Sequence, residues 1–178
     1  MVNFEYYFSK IPSIVRKNRN GLAVLTGEES KHDFEQLGKD MLLYFGMGCR
    51  NVSKLLVPHN FDFNLIFGGL YPWASVIENA KYANNYDYNK AVFLMSDFDF
   101  LENGFFMLKQ DTAMAAPIAS AFYDYYDNTD ELNQYLRNHN DAIQCIVGKN
   151  HTPFGSSQTP NLWEYADQVD TLAFLLSL

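Results

Sequence analysis

The sequence predicts an α/β domain, a mainly parallel sheet flanked by helices, with residues 1–178 forming one unit. Three observations carry that expectation. Short, almost wholly apolar runs recur along the chain (LAVL at 22–25, KLLVP at 54–58, IQCIV at 143–147), the pattern of strands covered on both faces. Between the first two runs, apolar residues recur at helical spacing. Turn residues, glycine above all, punctuate these segments, as alternating strands and helices require.

In chain order, residues 3–16 (NFEYYFSKIPSIVR) read as a short amphipathic segment broken near Pro12, followed by a polar stretch over 16–20. Leu22–Leu25 is a buried strand closed by Thr26 and Gly27. Ser30 offers an N-cap hydroxyl with Asp33 in the capping-box place. Phe34, Leu37, Met41, Leu42 and Phe45 then make 31–45 an amphipathic helix that Gly46 and Gly48 stop. Lys54–Pro58 is the next strand, and Pro72 suits the first turn of a helix over 72–82. Ala91–Met95 and Phe105–Leu108 read as strands, with Glu102, Asn103 and Gly104 turning between them. Ile118–Tyr126 is extended, Thr129 caps a helix over 130–138, and Ile143–Val147 is a strand ended by Gly148. Trp163–Ala166 reads as helical and Thr171–Leu176 as extended.

Composition narrows the function classes. With 48% hydrophobic residues, 15 Phe and 12 Tyr, the chain has the material for a packed core and none of the signature of disorder. A formal net charge of -8 argues against nucleic acid as a partner, since phosphate binding needs a basic face. MVNFEYYFSK lacks the charged-then-apolar architecture of a signal peptide, and no apolar run is long enough for a membrane helix. Together with two widely separated cysteines, Cys49 and Cys145, this predicts a reduced, cytoplasmic protein without membrane insertion. The histidines, His32, His59, His139 and His151, show no H-x-x-x-H or H-E-x-x-H spacing, so no metal site is expected. Asp124–Asp127 reads as a solvated acidic face.

The stretch FGMGCRNVSKLLV, 45–57, raises the one sharp chemical question. A thiol is a useful nucleophile when its thiolate is favoured by a helix N-terminus or a nearby cation and when it stays accessible. Cys49 follows two glycines and precedes Arg50 and Lys54; if 50–54 opens a new helical turn, the thiol sits at its positive end. Its own backbone N–H is then free to stabilise an oxyanion. The alternative is that the glycines cap the helix and Cys49 packs as a small apolar residue.

The order of elements around Cys49 resembles the aldehyde dehydrogenase superfamily: a strand, an acidic turn, an amphipathic helix, a G-x-x-C motif, a basic residue five places on and an apolar strand, with Gly46, Cys49, Lys54 and Val57 at those places. GCRNVSK, KYANNYDYNKA and PFG followed by LWEYADQVDTLAFL are similar to the acyl-CoA reductases of the LuxC type. The resemblance covers nearly the whole chain and corresponds to the C-terminal, cysteine-bearing half of such an enzyme, with an aldehyde dehydrogenase catalytic-domain-like fold. It implies that Cys49 takes an acyl group from acyl-CoA or another acyl thioester, and that hydride from NADPH or NADH reduces the enzyme thioester to an aldehyde. It also implies a homo-oligomer.

Three places depart from the family pattern. Val15 stands where hydrolytic aldehyde dehydrogenases carry a glutamate general base, which suits an enzyme whose thioester must not be hydrolysed. The E-x-F-G-P segment, whose glutamate holds the nicotinamide ribose, reads Ala113-Met114-Ala115-Ala116-Pro117. Family members are about twice this long, and no G-x-G-x-x-G follows a strand here, so most of the dinucleotide-binding half is expected to lie outside this chain.

Asn84, Asn85, Asp87, Tyr88 and Asn89 form a polar, aromatic cluster that either lines the acyl-thioester pocket or orders the loop beside Cys49, or else is an asparagine-rich turn before the strand at Ala91. Phe154, in the P-F-G segment, is a candidate for the substrate side, with a structural turn as the alternative. His151 is the one histidine to consider near the site, with an exposed loop histidine as the favoured alternative, and Cys145 reads as a buried strand residue. Besides thioester reduction, two functions stay open: a cofactor-independent cysteine acyltransferase or thioesterase, and a non-catalytic assembly module.

Overall fold

The computed structural model describes residues 2–166 and 169–178. Among them, six strands form one sheet in the order β3-β4-β5-β2-β1-β6, parallel throughout except for the antiparallel β3–β4 pair. The strands are β1 (Asn20–Val24), β2 (Val52–Pro58), β3 (Phe100–Glu102), β4 (Met107–Gln110), β5 (Ser120–Tyr126) and β6 (Ile143–Val147). The helices are α1 (Val2–Phe8), α2 (Lys31–Leu42), α3 (Asn64–Leu70), α4 (Ala80–Met95), α5 (Thr129–Asn138) and α6 (Thr171–Leu176), with a tight 3₁₀ turn over Tyr71–Glu78.

Helices cover both faces, and this explains the unbroken apolar runs. Along β1, Ala23 and Leu25 pack into the main core with Phe34, Leu37 and Met41 of α2 and Ile66 and Leu70 of α3. Leu22 and Val24 face the other way, toward Leu132 and Leu136 of α5. Each such side chain contributes about 1.5–3 kcal/mol on burial. The capping box is complete: Ser30 Oγ accepts from the Asp33 amide at 3.2 Å while the Asp33 carboxylate accepts from the Ser30 amide at 2.9 Å. Asn103 and Gly104 do turn the chain, the Asn103 side chain accepting from the Phe106 amide at 2.9 Å.

Several expectations are corrected. Ala91–Met95 is not a strand but the end of α4, which starts where Asn79 caps the Lys81 and Tyr82 amides. Tyr82, Tyr86, Asn89 and Phe93 form its buried stripe. The helix expected over 72–82 is instead the 3₁₀ turn followed by the first residues of α4. The cap of α5 is Asn128 rather than Thr129, and Thr171–Leu176 is helical, started by the Asp170 carboxylate on the Ala173 amide. Around Trp163 the chain makes a turn, and Asp167 and Gln168 of the W-E-Y-A-D-Q stretch lie outside the described residues. No described helix is long and apolar enough to cross a membrane.

Candidate active site around Cys49

Helix α2 ends at Leu42, earlier than the two glycines suggest, and the chain reverses through a left-handed turn. Tyr44, Phe45 and Gly46 have φ of 58°, 60° and 74°, and the first two pay for that conformation with about 1–3 kcal/mol each. Two buried polar side chains, Asn51 and Asp40, and the half-buried Arg50 hold the strained turn in place. Asn51, almost fully buried, donates through Nδ2 to the carbonyls of Asp40 (2.8 Å) and Leu43 (2.9 Å) and accepts from the Gly48 amide at 2.7 Å. A Cβ at position 48 would lie 2.6 Å from that same Asn51 oxygen, so only glycine fits. Asp40 reaches across to accept from the amides of Gly155 (2.6 Å) and Ser157 (2.9 Å), tying the P-F-G segment to α2. Burial pushes the Asp40 carboxyl up, against the pull of those hydrogen bonds. Arg50 donates through Nε to the Ser157 carbonyl and pairs with Glu164 at 3.0 Å.

Cys49 sits at the head of this assembly with its residue exposed. It is one of two central residues in a turn closed by the Asn51 amide on the Gly48 carbonyl at 2.9 Å. Among the described residues, neither the Cys49 nor the Arg50 backbone N–H has a hydrogen-bond partner, so two adjacent donors are free for an oxygen that gains charge. The expected helical turn at 50–54 is absent, because Val52 already begins β2. A helix end therefore does not activate the thiol. Lys54 is not its cation either. It is completely buried, and its ammonium donates to the Asp111 carbonyl and lies 3.9 Å from Asp124. Burial lowers its pKa while Asp124 and Asp111 oppose that. Asp124 is accordingly a partner inside the fold, not part of a solvated face.

The other candidates are distributed unevenly. Phe154 is half-buried against the main core, on the segment that Asp40 holds. His151 lies largely exposed just beyond β6, where partial desolvation of its ring lowers its pKa. Asn84 and Tyr88 are exposed in the middle of α4, and Asn85 donates to the Lys81 carbonyl of its own helix, so the cluster is not an asparagine-rich turn. A link from α4 to the Cys49 turn runs through Tyr82, whose ring centroid lies 6.3 Å from that of Phe45. Asp40, Asn51 and the pairing of Arg50 with Glu164 escaped sequence reasoning; the only signal was a buried-face aspartate within the α2 stripe.

A cleft of about 370 Å³ opens beside the turn, lined by Arg50, Gln144, Cys145, Thr152, Trp163 and Glu164 among others. Cys145, on edge strand β6, is buried with Sγ 3.5 Å from the Arg50 carbonyl, and burial pushes its thiol up to about 11.

Among the described residues, the strand-to-helix turns do not fit a pyrophosphate. The Glu29 carboxylate already accepts from the Thr26 (2.8 Å) and Gly27 (2.9 Å) amides, Asp33 caps α2, and Asp130 and Glu131 open α5. These carboxylates occupy or repel where a phosphate would bind a helix start. No described group of three His, Cys, Asp or Glu side chains is placed to hold a metal ion.

No protein-family model and no curated protein matches the chain. Among the solved structures that share its fold are two with TM-scores above 0.5. One is the P. syringae indole-3-acetaldehyde dehydrogenase in complex with NAD+ and IAA (TM-score 0.53, 10% identity, 82% of this chain and 37% of that one). The other is an indole-3-acetaldehyde dehydrogenase with NAD+ (TM-score 0.52, 9% identity, 82% of this chain and 37% of that one). The chain thus spans about 37% of the length of these similar structures, and its mostly parallel, helix-flanked sheet has the fold of part of an aldehyde dehydrogenase.

Proposed function

We propose that this chain carries the acyl-accepting half of a thioester reduction, with Cys49 as nucleophile and acyl-CoA or a similar thioester as donor, in the manner of a LuxC-type acyl-CoA reductase. The observation that carries the reading is an exposed thiol on a strained, buried-polar-latched turn with two unpartnered backbone N–H groups beside it. The Cys49 thiolate attacks the thioester carbonyl carbon. The new C–S bond forms, the carbonyl oxygen gains charge against the two N–H donors, and the bond to the carrier sulfur breaks as that oxygen reverts to a carbonyl. The carrier leaves as a thiolate and takes up a proton from solvent. In such an enzyme a nicotinamide dinucleotide would supply the hydride that turns the enzyme thioester into an aldehyde; the described residues form no cradle for it.

Incubation with an acyl-CoA, followed by intact-protein and peptide mass spectrometry, tests this. An acyl mass on the Cys49 peptide, removed by hydroxylamine and lost in Cys49→Ala, is expected. An acyl-free Cys49 after prolonged incubation would overturn the reading. The poor fit to a pyrophosphate favours a second reading, cofactor-independent acyl transfer or thioester hydrolysis. Multiple turnovers to free acid, without any dinucleotide, would select it.

A further inference from the structure

Resting on the acyl transfer just argued, we propose that the cleft beside Cys49 binds the amide-bearing thiol arm of the acyl donor, and that Gln144 recognises its amide. Gln144 lines the cleft from edge strand β6 and is about nine-tenths buried, with 9% of its surface exposed. Its Oε1 is buried with no hydrogen-bond partner among the described residues. A buried amide oxygen left unpaired is costly, and a ligand N–H removes the cost. A half-turn of the amide group presents either its oxygen or its nitrogen to the cleft, so both halves of a ligand amide find a complement.

The remaining walls point to the same chemistry. Arg50 is held by the Ser157 carbonyl and by Glu164, so its charge is already balanced and the cleft is not built for an anion. Thr152 adds a hydroxyl, while Trp163 adds an apolar face for the methylenes between amides. A long alkyl chain is a poor occupant, because it would leave the Gln144 Oε1 without a partner. The volume of about 370 Å³ lies within the usual span of small-molecule sites, about 300–1,000 Å³. Proximity fits as well. Two carbons separate a carrier sulfur from its first amide nitrogen, and Arg50, the residue after Cys49, lines the same cleft as Gln144.

The test compares acylation of Cys49 by two esters of one acyl group, an S-(2-acetamidoethyl) thioester and an S-ethyl thioester, each rate divided by that with free cysteine to cancel leaving-group reactivity. The amide-bearing ester is expected to react about tenfold faster, the worth of one well-placed hydrogen bond. Gln144→Met, similar in volume, should remove most of that preference. Equal normalised rates for the two esters with the wild-type chain would overturn this proposal and leave the nucleophile intact, and that measurement stands even if the variant fails to fold. A preference unchanged in a folded Gln144→Met would do the same. Failure of both esters to acylate Cys49 would instead sink the thioester reading and this proposal with it.

Discussion

The two cysteines sit close together yet are built for opposite behaviour. Cys49 is exposed on a strained turn that the buried Asp40 and Asn51 hold in one shape. Cys145 lies in a strand, is buried, and has its thiol pushed up to about 11 by that burial. The difference is one of backbone context rather than side-chain chemistry. A strand residue between covered faces loses water and so disfavours its thiolate, whereas a turn residue keeps both water and unpaired N–H groups.

The sharpest way to break the comparison is differential alkylation. Iodoacetamide at pH 8 should modify Cys49 and leave Cys145 behind by roughly tenfold or more, because Cys145 is buried and its thiol, pushed up to about 11, holds little thiolate. Equal labelling in the native state, read by peptide mass spectrometry, would erase the distinction.

A smaller effect concerns the latch. Asp40→Ala leaves the Gly155 and Ser157 amides buried without their acceptor and should cost about 3 kcal/mol in urea unfolding, with slower acylation of Cys49. The pH dependence follows from the direction of the Asp40 shift. Its native pKa is raised above 3.8, so the folded chain holds the proton more tightly than the unfolded one, and stability falls as pH rises from 3.8 through the native value. In Asp40→Asn that segment of the stability–pH curve should flatten.

Smallest is Cys145→Ala, expected to cost about 1 kcal/mol for the lost sulfur packing while leaving the alkylation rate of Cys49 unchanged. A change in that rate would show that Cys145 tunes its neighbour.

Much of the frame was legible before folding, and the site much less so. Ser30 and Asp33 announced the start of α2, and the runs at 22–25, 54–58 and 143–147 announced buried strands, because caps and double-sided burial are written in adjacent residues. AVFLM misled for a physical reason: a five-residue apolar run has no period of its own, and the stripe that makes it helical passes through Tyr82, Tyr86 and Asn89. For the site, the position of Cys49 in a glycine-flanked bend was readable, but its support was not. Nothing local to Asp40 says that it will meet the Gly155 amide, 115 residues away, nor that Lys54 will turn to Asp111 and Asp124 instead of to the thiol.

Local chemistry thus settled the periodic elements and the bend that carries the thiol, since a cap, a glycine and an apolar run act on their immediate neighbours. Tertiary packing alone decided which thiol stays wet, which cation is already engaged and which amides Asp40 holds. Those outcomes depend on desolvation and on hydrogen bonds between distant segments, and neither exists until the sheet brings the segments together.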